Sequence, residues 1–314
     1  MTVLFDADAV EAALDYPRLV EALRAAFRDE GEPMPVRQSY EVGTQAAPGH
    51  LLTMPAWKRG EAVGTKLVTI FPANAARGLG SVSSLYVLFD GETGTARAIL
   101  PGDALTNRRT GAASALASTY LSRPESRTLL VIGNGHVAFH AAQAHCTVRP
   151  ITRVLVHGRS PEKAEAFAVK LRSGSVEALP VTDIAAAAAE ADIITCGTTS
   201  TVPLITGAHV RPGTHVDLIG AFTPDMRESD DALVAKSAVY VDTRAGALAE
   251  AGDLTQATHA GAWSANLLRG DLHDLCSGRV PGRTSPEEIT LFKSVGAAIE
   301  DLTAAMMVMK AGPA

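Results

Sequence analysis

Between Asp8 and Asp29 the apolar positions Val10, Leu14, Leu19, Val20, Leu23 and Phe27 recur at helical spacing. Pro17 interrupts them where a second helix would begin, a position that tolerates its fixed φ and missing N–H. From Met34 to Leu100 the texture changes to short β-rich runs at Leu51–Met54, Lys66–Ile70, Ser84–Phe89 and Ala96–Leu100. Turn residues at Pro48-Gly49, Arg59-Gly60 and Asp90-Gly91-Glu92-Thr93-Gly94 separate the runs, and the pattern predicts an antiparallel sheet.

An alanine-rich helix is predicted over Asn107–Leu121, and strands then alternate with helices. The strands are Thr128–Ile132, Arg153–His157, Val176–Leu179, Asp192–Cys196, Val216–Ile219 and Ala238–Val241; the helices are Val137–Thr147, Pro161–Leu171, Asp183–Glu190 and Asp230–Ala235. Such alternation requires parallel pairing, hence a doubly wound sheet with ligands at the carboxyl ends of its strands. Pro286–Lys310 is predicted as one long amphipathic helix folding back onto the first domain. The fold class is therefore α/β: a Rossmann-type doubly wound parallel sheet domain over 123–286, plus an α+β domain formed by 1–122 and 287–314.

Composition narrows the function. With 314 residues, 46% of them hydrophobic, the chain can bury one large core or two moderate ones, and two domains are expected. A formal charge of −6 offers no field for a phosphate backbone, which argues against nucleic acid and for a small-molecule partner. The three cysteines, Cys146, Cys196 and Cys276, are far apart and suggest neither disulfides nor a thiolate metal site. Acidic residues near the start are wrong for a signal peptide, and no apolar run reaches the ~18 residues of a membrane span, so a cytoplasmic protein is expected.

The strongest chemical signal is the run from strand Thr128–Ile132 into Gly133-Asn134-Gly135-His136-Val137-Ala138 and a helix. In this context the first glycine makes a tight turn, the second lets a pyrophosphate approach, and Ala138 permits close packing, while free N–H groups at the helix start stabilise the phosphates. The second strand ends His157-Gly158-Arg159-Ser160, without the carboxylate that usually binds the ribose of NAD(H). Arg159 and Ser160 suit a 2′-phosphate, so NADP(H) is expected in preference to NAD(H). His136, His140 and His145 are joined by no carboxylate or cysteine in the sequence and read as helix residues, so no metal is expected. In the first domain Arg37, Lys66 and Arg109 are cations in apolar surroundings, where a charge needs an anion or a functional reason.

From about Pro35 to Lys310 the chain resembles the ornithine cyclodeaminase/mu-crystallin family. The likeness is carried by Met54-Pro55-Ala56, Thr65-Lys66-Leu67-Val68, Pro72-Ala73-Asn74, Leu105–Thr110, Gly133-Asn134-Gly135, Ala191-Asp192-Ile193-Ile194-Thr195, Arg211–His215, Pro224–Glu228 and Phe292–Gly296. The resemblance implies a homodimer whose N-terminal domain and C-terminal helix bind substrate, with NAD(P)(H) in the second domain. It assigns Arg37, Lys66 and Arg109 to the substrate's carboxylate and reacting centre, and Arg109, Thr110, Gly197 and Thr198 to the region facing the cofactor. Two departures matter. Cyclodeaminases carry an aspartate where this chain has Phe222, and a glutamate that pairs with ornithine's distal amine where it has Leu52. Phenylalanine cannot transfer protons and leucine cannot pair with an ammonium; Phe222 is expected instead to contribute an apolar wall to the substrate pocket. The resemblance is therefore closer to ketimine reductases, which would reduce Δ1-pyrroline-2-carboxylate or its six-membered homologue. Ornithine cyclodeaminase, an amino-acid dehydrogenase and a non-catalytic ligand-binding protein of the mu-crystallin kind are the competing readings.

Overall fold

The computed structural model describes residues 2–29, 34–45, 47–172 and 176–312. The chain forms two compact units, Met1–Arg109 with Ala297–Ala314, and Thr110–Gly296.

The first unit is built on a six-stranded sheet. Its strands are β1 (Val3–Leu4), β2 (Gln38–Thr44), β3 (Ala47–Lys58), β4 (Ala62–Ile70), β5 (Val82–Asp90) and β6 (Ala96–Pro101), in the order β1-β6-β5-β4-β3-β2. All neighbours are antiparallel except β1 with β6. Helices α1 (Ala7–Ala13) and α2 (Tyr16–Arg28) are N-capped by Asp6 and Asp15, and Pro17 occupies the first turn of α2 as its chemistry requires. The C-terminal helix, Ala298–Ala311, packs against α2 and across β3, β4 and β5. Strand alternation then decides which side chains it meets: on β4 Ala62, Gly64, Lys66 and Val68 are buried, while Val63 and Leu67 are exposed.

Pro48-Gly49 does not make a turn. Both residues lie inside β3, paired with Gly43 and Val42, and the lack of a side chain at Gly49 leaves room for the Phe71 ring. The alanine-rich helix, α3 (Gly102–Leu121), starts a turn earlier than its composition suggests, directly from the end of β6.

The second unit is Rossmann-type, with eight parallel strands. These are β7 (Thr128–Ile132), β8 (Arg153–His157), β9 (Glu177–Pro180), β10 (Ile193–Cys196), β11 (His215–Leu218), β12 (Ala238–Val241), β13 (Gly270–Asp271) and β14 (Thr290–Lys293). Their order is β13-β12-β14-β11-β10-β7-β8-β9. Helices α4 (His136–Val148), α5 (Pro161–Leu171), α6 (Ile184–Glu190), α7 (Asp231–Lys236), α8 (Arg244–Glu250), α9 (Gly252–His259) and α10 (Leu272–Cys276) connect them. The chain runs outward from β7 to β9 and restarts on the other side at β10, so the topological switch lies between β7 and β10.

The single helix expected over Pro286–Lys310 is instead the strand β14 followed by the C-terminal helix. Thr290–Lys293 is fully buried and pairs with β11 on one side and β12 on the other. A central parallel strand is a continuous buried run without alternation, which periodicity cannot separate from a buried helical turn. Among the described residues no helix is long and apolar enough to cross a membrane.

Candidate active site

The glycine loop closes β7 as its sequence dictates. Gly133 has φ +116, and a Cβ there would stand 2.6 Å from the Gly197 carbonyl oxygen, so only glycine fits. Gly135 caps α4 with no side-chain hydrogen bond, and a Cβ on it would meet nothing within 4 Å. The first N–H groups of α4 therefore face a cradle that a side chain would fill, which suits a pyrophosphate. Ala138 is buried close to Gly197, His136 is exposed and Val137 half-buried. Thr110, on α3, is buried. Asn134 lies against the end of β8, since a Cβ on Gly158 would stand 2.5 Å from its Nδ2.

Beyond Gly158, Arg159 is exposed. Ser160 is the N-cap of α5: its hydroxyl accepts the Lys163 N–H at 3.3 Å and donates to Glu162 Oε2 at 2.7 Å. A cavity of ≈ 390 Å³ opens beside this turn, lined by Leu155, Gly158, Pro161, Ala164, Val181 and Asp183 among others.

In the first unit the cations singled out from the sequence come together. Lys66, on the inner face of β4, is flanked in register by Met54 on β3 and Tyr86 on β5. Its Nζ lies 2.7 Å from Asp301 Oδ2 and donates to Thr106 Oγ1 at 3.3 Å. Arg109 donates from Nε to Asp301 Oδ1 at 3.0 Å and from Nη1 to Glu300 Oε2 at 2.6 Å, leaving Nη2 outside both ion pairs. Glu300 and Asp301 belong to the first turn of the C-terminal helix, where the helix dipole favours negative charge.

Burial pushes the Lys66 ammonium down from 10.5 to about 8; Arg109 and Arg37 push the same way, and Asp301 opposes them. Burial alone would raise Asp301, but Arg109 and Lys66 hold its carboxyl below the usual range. Burial likewise works against the Arg109 charge, and Asp301 with Glu300 more than restores it. Arg37, half-buried just before β2, is thus electrostatically part of the cluster. Leu52 lies on the same face of the sheet, one pair along, opposite Val68.

Three participants escaped the sequence reading. Glu300 and Asp301 lie inside the stretch whose apolar spacing predicts one long helix, which gives them no mark of their own. Tyr86 has a hydroxyl that is fully buried with no hydrogen-bond partner among the described residues, and burial followed by Asp301 raises its pKa well above 10. It fits because Gly64 has no side chain to displace it. In the second unit a carboxylate does join one of the α4 histidines: His145 Nε2 lies 3.1 Å from Asp217 Oδ2, which also accepts from Thr195 Oγ1 at 2.8 Å. Among the described residues no group of three or more His, Cys, Asp or Glu side chains could hold a metal. Phe222, after β11, packs against the core of its own unit.

A parallel sheet with a glycine cradle at its switch point, joined to a unit holding a buried lysine–arginine–carboxylate cluster, defines a two-unit protein of the dinucleotide-binding class. The chain belongs to the ornithine cyclodeaminase/mu-crystallin family, whose pattern matches residues 2–311. It is 40% identical to a Delta(1)-pyrroline-2-carboxylate reductase of Paracoccus denitrificans, over 95% of this chain and 93% of the relative. Among solved structures it matches the Thermococcus litoralis Delta(1)-pyrroline-2-carboxylate reductase in complex with NADH and L-proline, with TM-score 0.92 and 33% identity over 98% of this chain and 97% of that one. An archaeal alanine dehydrogenase dimer with bound NAD matches with TM-score 0.90 and 28% identity, over 98% and 95% of the two chains.

Proposed function

We propose that this protein reduces a cyclic ketimine carboxylate, Δ1-pyrroline-2-carboxylate or its six-membered homologue, to the cyclic amino acid. The observation that carries the reading is the buried Lys66, 2.7 Å from Asp301 and poised to titrate near pH 8, beside Arg109 and Arg37. Its relatives named as pyrroline carboxylate reductases, one of them seen with NADH and L-proline, support the same substrate class.

Arg37 and Arg109 bind the substrate carboxylate, Arg109 through the Nη2 edge left outside its ion pairs. Lys66 would donate a proton toward the imine nitrogen; the chemistry a reduced nicotinamide would supply is the hydride for the neighbouring ring carbon. Asp301 keeps Lys66 charged and oriented, so that positioning and fixed charge supply much of the rate gain. Leu52 offers an apolar wall where an ornithine side chain would need a carboxylate, which argues against cyclodeamination.

Gly133, Gly135, His136 and Val137 would hold the pyrophosphate of a dinucleotide, and the cavity beside Gly158 lies next to the end of β8. Gly197 and Thr198 line the nicotinamide side. We infer a preference for NADPH over NADH, supported by the exposed Arg159 at the end of β8 and the lack of a carboxylate in His157–Ser160.

A homodimer is supported by the outer face of the first unit's sheet. Tyr40, Trp57, Val63, Leu67 and Leu85 share that face by strand alternation, and Leu67 pairs directly with Leu85. The test of the activity is reduced-cofactor oxidation with synthetic Δ1-pyrroline-2-carboxylate, compared with ammonia release from ornithine. Ammonia release without oxidation would replace the reductase reading by the cyclodeaminase one.

A further inference from the structure

Among the ionisable groups that the second unit buries and the reduction does not use, two acids and a lysine stand together. Glu228, Asp253 and Lys293 are all 0% exposed. Burying charges is costly even when they are paired, and hydrophobic packing serves a sheet as well or better. Their location suggests what they do, because they gather at the carboxyl ends of β10, β11 and β14, where doubly wound sheets hold ligands.

Glu228 Oε1 accepts two hydrogen bonds from one residue, the Thr198 N–H at 2.7 Å and the Thr198 hydroxyl at 2.8 Å. Its Oε2 has no hydrogen-bond partner among the described residues. Asp253 pins the backbone behind it, its Oδ1 accepting the N–H groups of Glu228 and Ser229 at 2.9 and 2.8 Å and the Ser229 hydroxyl at 3.0 Å. Lys293 lies 3.4 Å from Asp253 Oδ2 and donates to the carbonyl of Gly220. Thr198 and Gly220 meet backbone to backbone, for a Cβ on Gly220 would collide with the Thr198 carbonyl and with Glu228 Oε1. The next residue, Ala221, is fully buried with φ +47, a left-handed conformation that an alanine keeps only where its surroundings impose it. On its other side Thr198 reaches the glycine loop, its Cγ2 3.3 Å from where a Cβ on Gly133 would stand.

We propose that Glu228, backed by Asp253 and Lys293, is a positioning residue that clamps the Thr198 loop and the Gly220–Phe222 turn together and so sets the wall against which the nicotinamide end of the cofactor lies. The inference rests on the reading that this unit binds a nicotinamide dinucleotide. On that reading Thr198 would touch the cofactor, and Glu228 would act through Thr198. The Oε1 contact is a matter of geometry, so an amide in place of the carboxylate preserves it while an alanine does not.

The test uses the full-length protein with NADH fluorescence titration, thermal unfolding and steady-state kinetics on Δ1-pyrroline-2-carboxylate. Loss of a hydrogen bond to a buried carboxylate predicts that Glu228→Ala and Thr198→Val each weaken NADH binding by about tenfold, with Glu228→Gln within about threefold of wild type. Where Glu228→Ala fails to fold, Thr198→Val, which removes one hydroxyl and no charge, carries the test. Folded Thr198→Val protein that binds NADH and turns over like wild type would overturn the clamp, as would Glu228→Gln falling as far as Glu228→Ala. Wild-type protein that binds neither NADH nor NADPH would overturn the dinucleotide reading, and the clamp with it; wild-type binding with unaffected variants overturns the clamp alone.

Discussion

Lys66 Nζ lies 2.7 Å from Asp301 Oδ2, with both side chains sealed from solvent. A strand near the start of the chain supplies the ammonium and a helix at its end supplies the carboxylate, which also accepts from Arg109. The pair is balanced: burial, Arg109 and Arg37 favour neutral lysine, and Asp301 favours the charged form.

That balance predicts a pH profile. Lys66 holds its proton below about 8 and loses it above, so kcat/KM for ketimine reduction falls as pH rises through about 8, and the reverse oxidation rises over the same range. The sign for stability follows separately. The folded pKa is depressed below the unfolded 10.5, so the unfolded chain binds more protons between about 8 and 10.5, and stability attributable to this group rises with pH across that window. A reduction profile flat across pH 8 would remove Lys66 as the proton source.

Asp301→Asn leaves Lys66 and part of Arg109 buried without their shared anion. Breaking one partner out of a buried ion pair costs about 3–5 kcal/mol, to be read as a lowered denaturation midpoint. Asp301 is the group that raises the Lys66 pKa, so the inflection in the pH–rate profile moves to lower pH in the same variant. An unchanged inflection would separate Asp301 from the chemistry.

Arg159→Ala should raise the KM for NADPH by about tenfold, the worth of one charge-assisted contact at an exposed site, and leave that for NADH nearly unchanged. Equal losses with both cofactors would contradict the phosphate role.

Leu67 and Leu85 stand opposite each other on the exposed face of the first unit's sheet. A Leu67→Glu, Leu85→Glu double variant places like charges in register on that face and should yield a folded monomer by light scattering. A dimer unaffected by both charges would locate the interface elsewhere.

The sequence made the local features legible and left the distant ones hidden. Gly133–Ala138 was readable because turn, cradle and helix start follow one another along the chain, and the cations Arg37, Lys66 and Arg109 stood out against apolar neighbours. Their counter-ions did not, because Glu300 and Asp301 meet them only through the fold. Thr290–Lys293 hid for a different reason: as a central parallel strand it is buried on both faces and shows no period-two pattern. Asp192, within one of the family-like blocks, turns out to be structural, accepting the N–H groups of Arg127 and Thr128 and the guanidinium of Arg123 at the foot of β7.

The proposed chemistry requires the buried Lys66 to serve imine reduction by a reduced nicotinamide. Stopped-flow absorbance at the reduced-nicotinamide band, with enzyme, NADPH and Δ1-pyrroline-2-carboxylate mixed at neutral pH, tests it most directly. The expected result is cofactor oxidation with stoichiometric proline, lost in Lys66→Met protein that still binds NADPH. Lys66→Met oxidising NADPH at the wild-type rate, or wild-type protein releasing ammonia from ornithine with no NADPH oxidation, would contradict it.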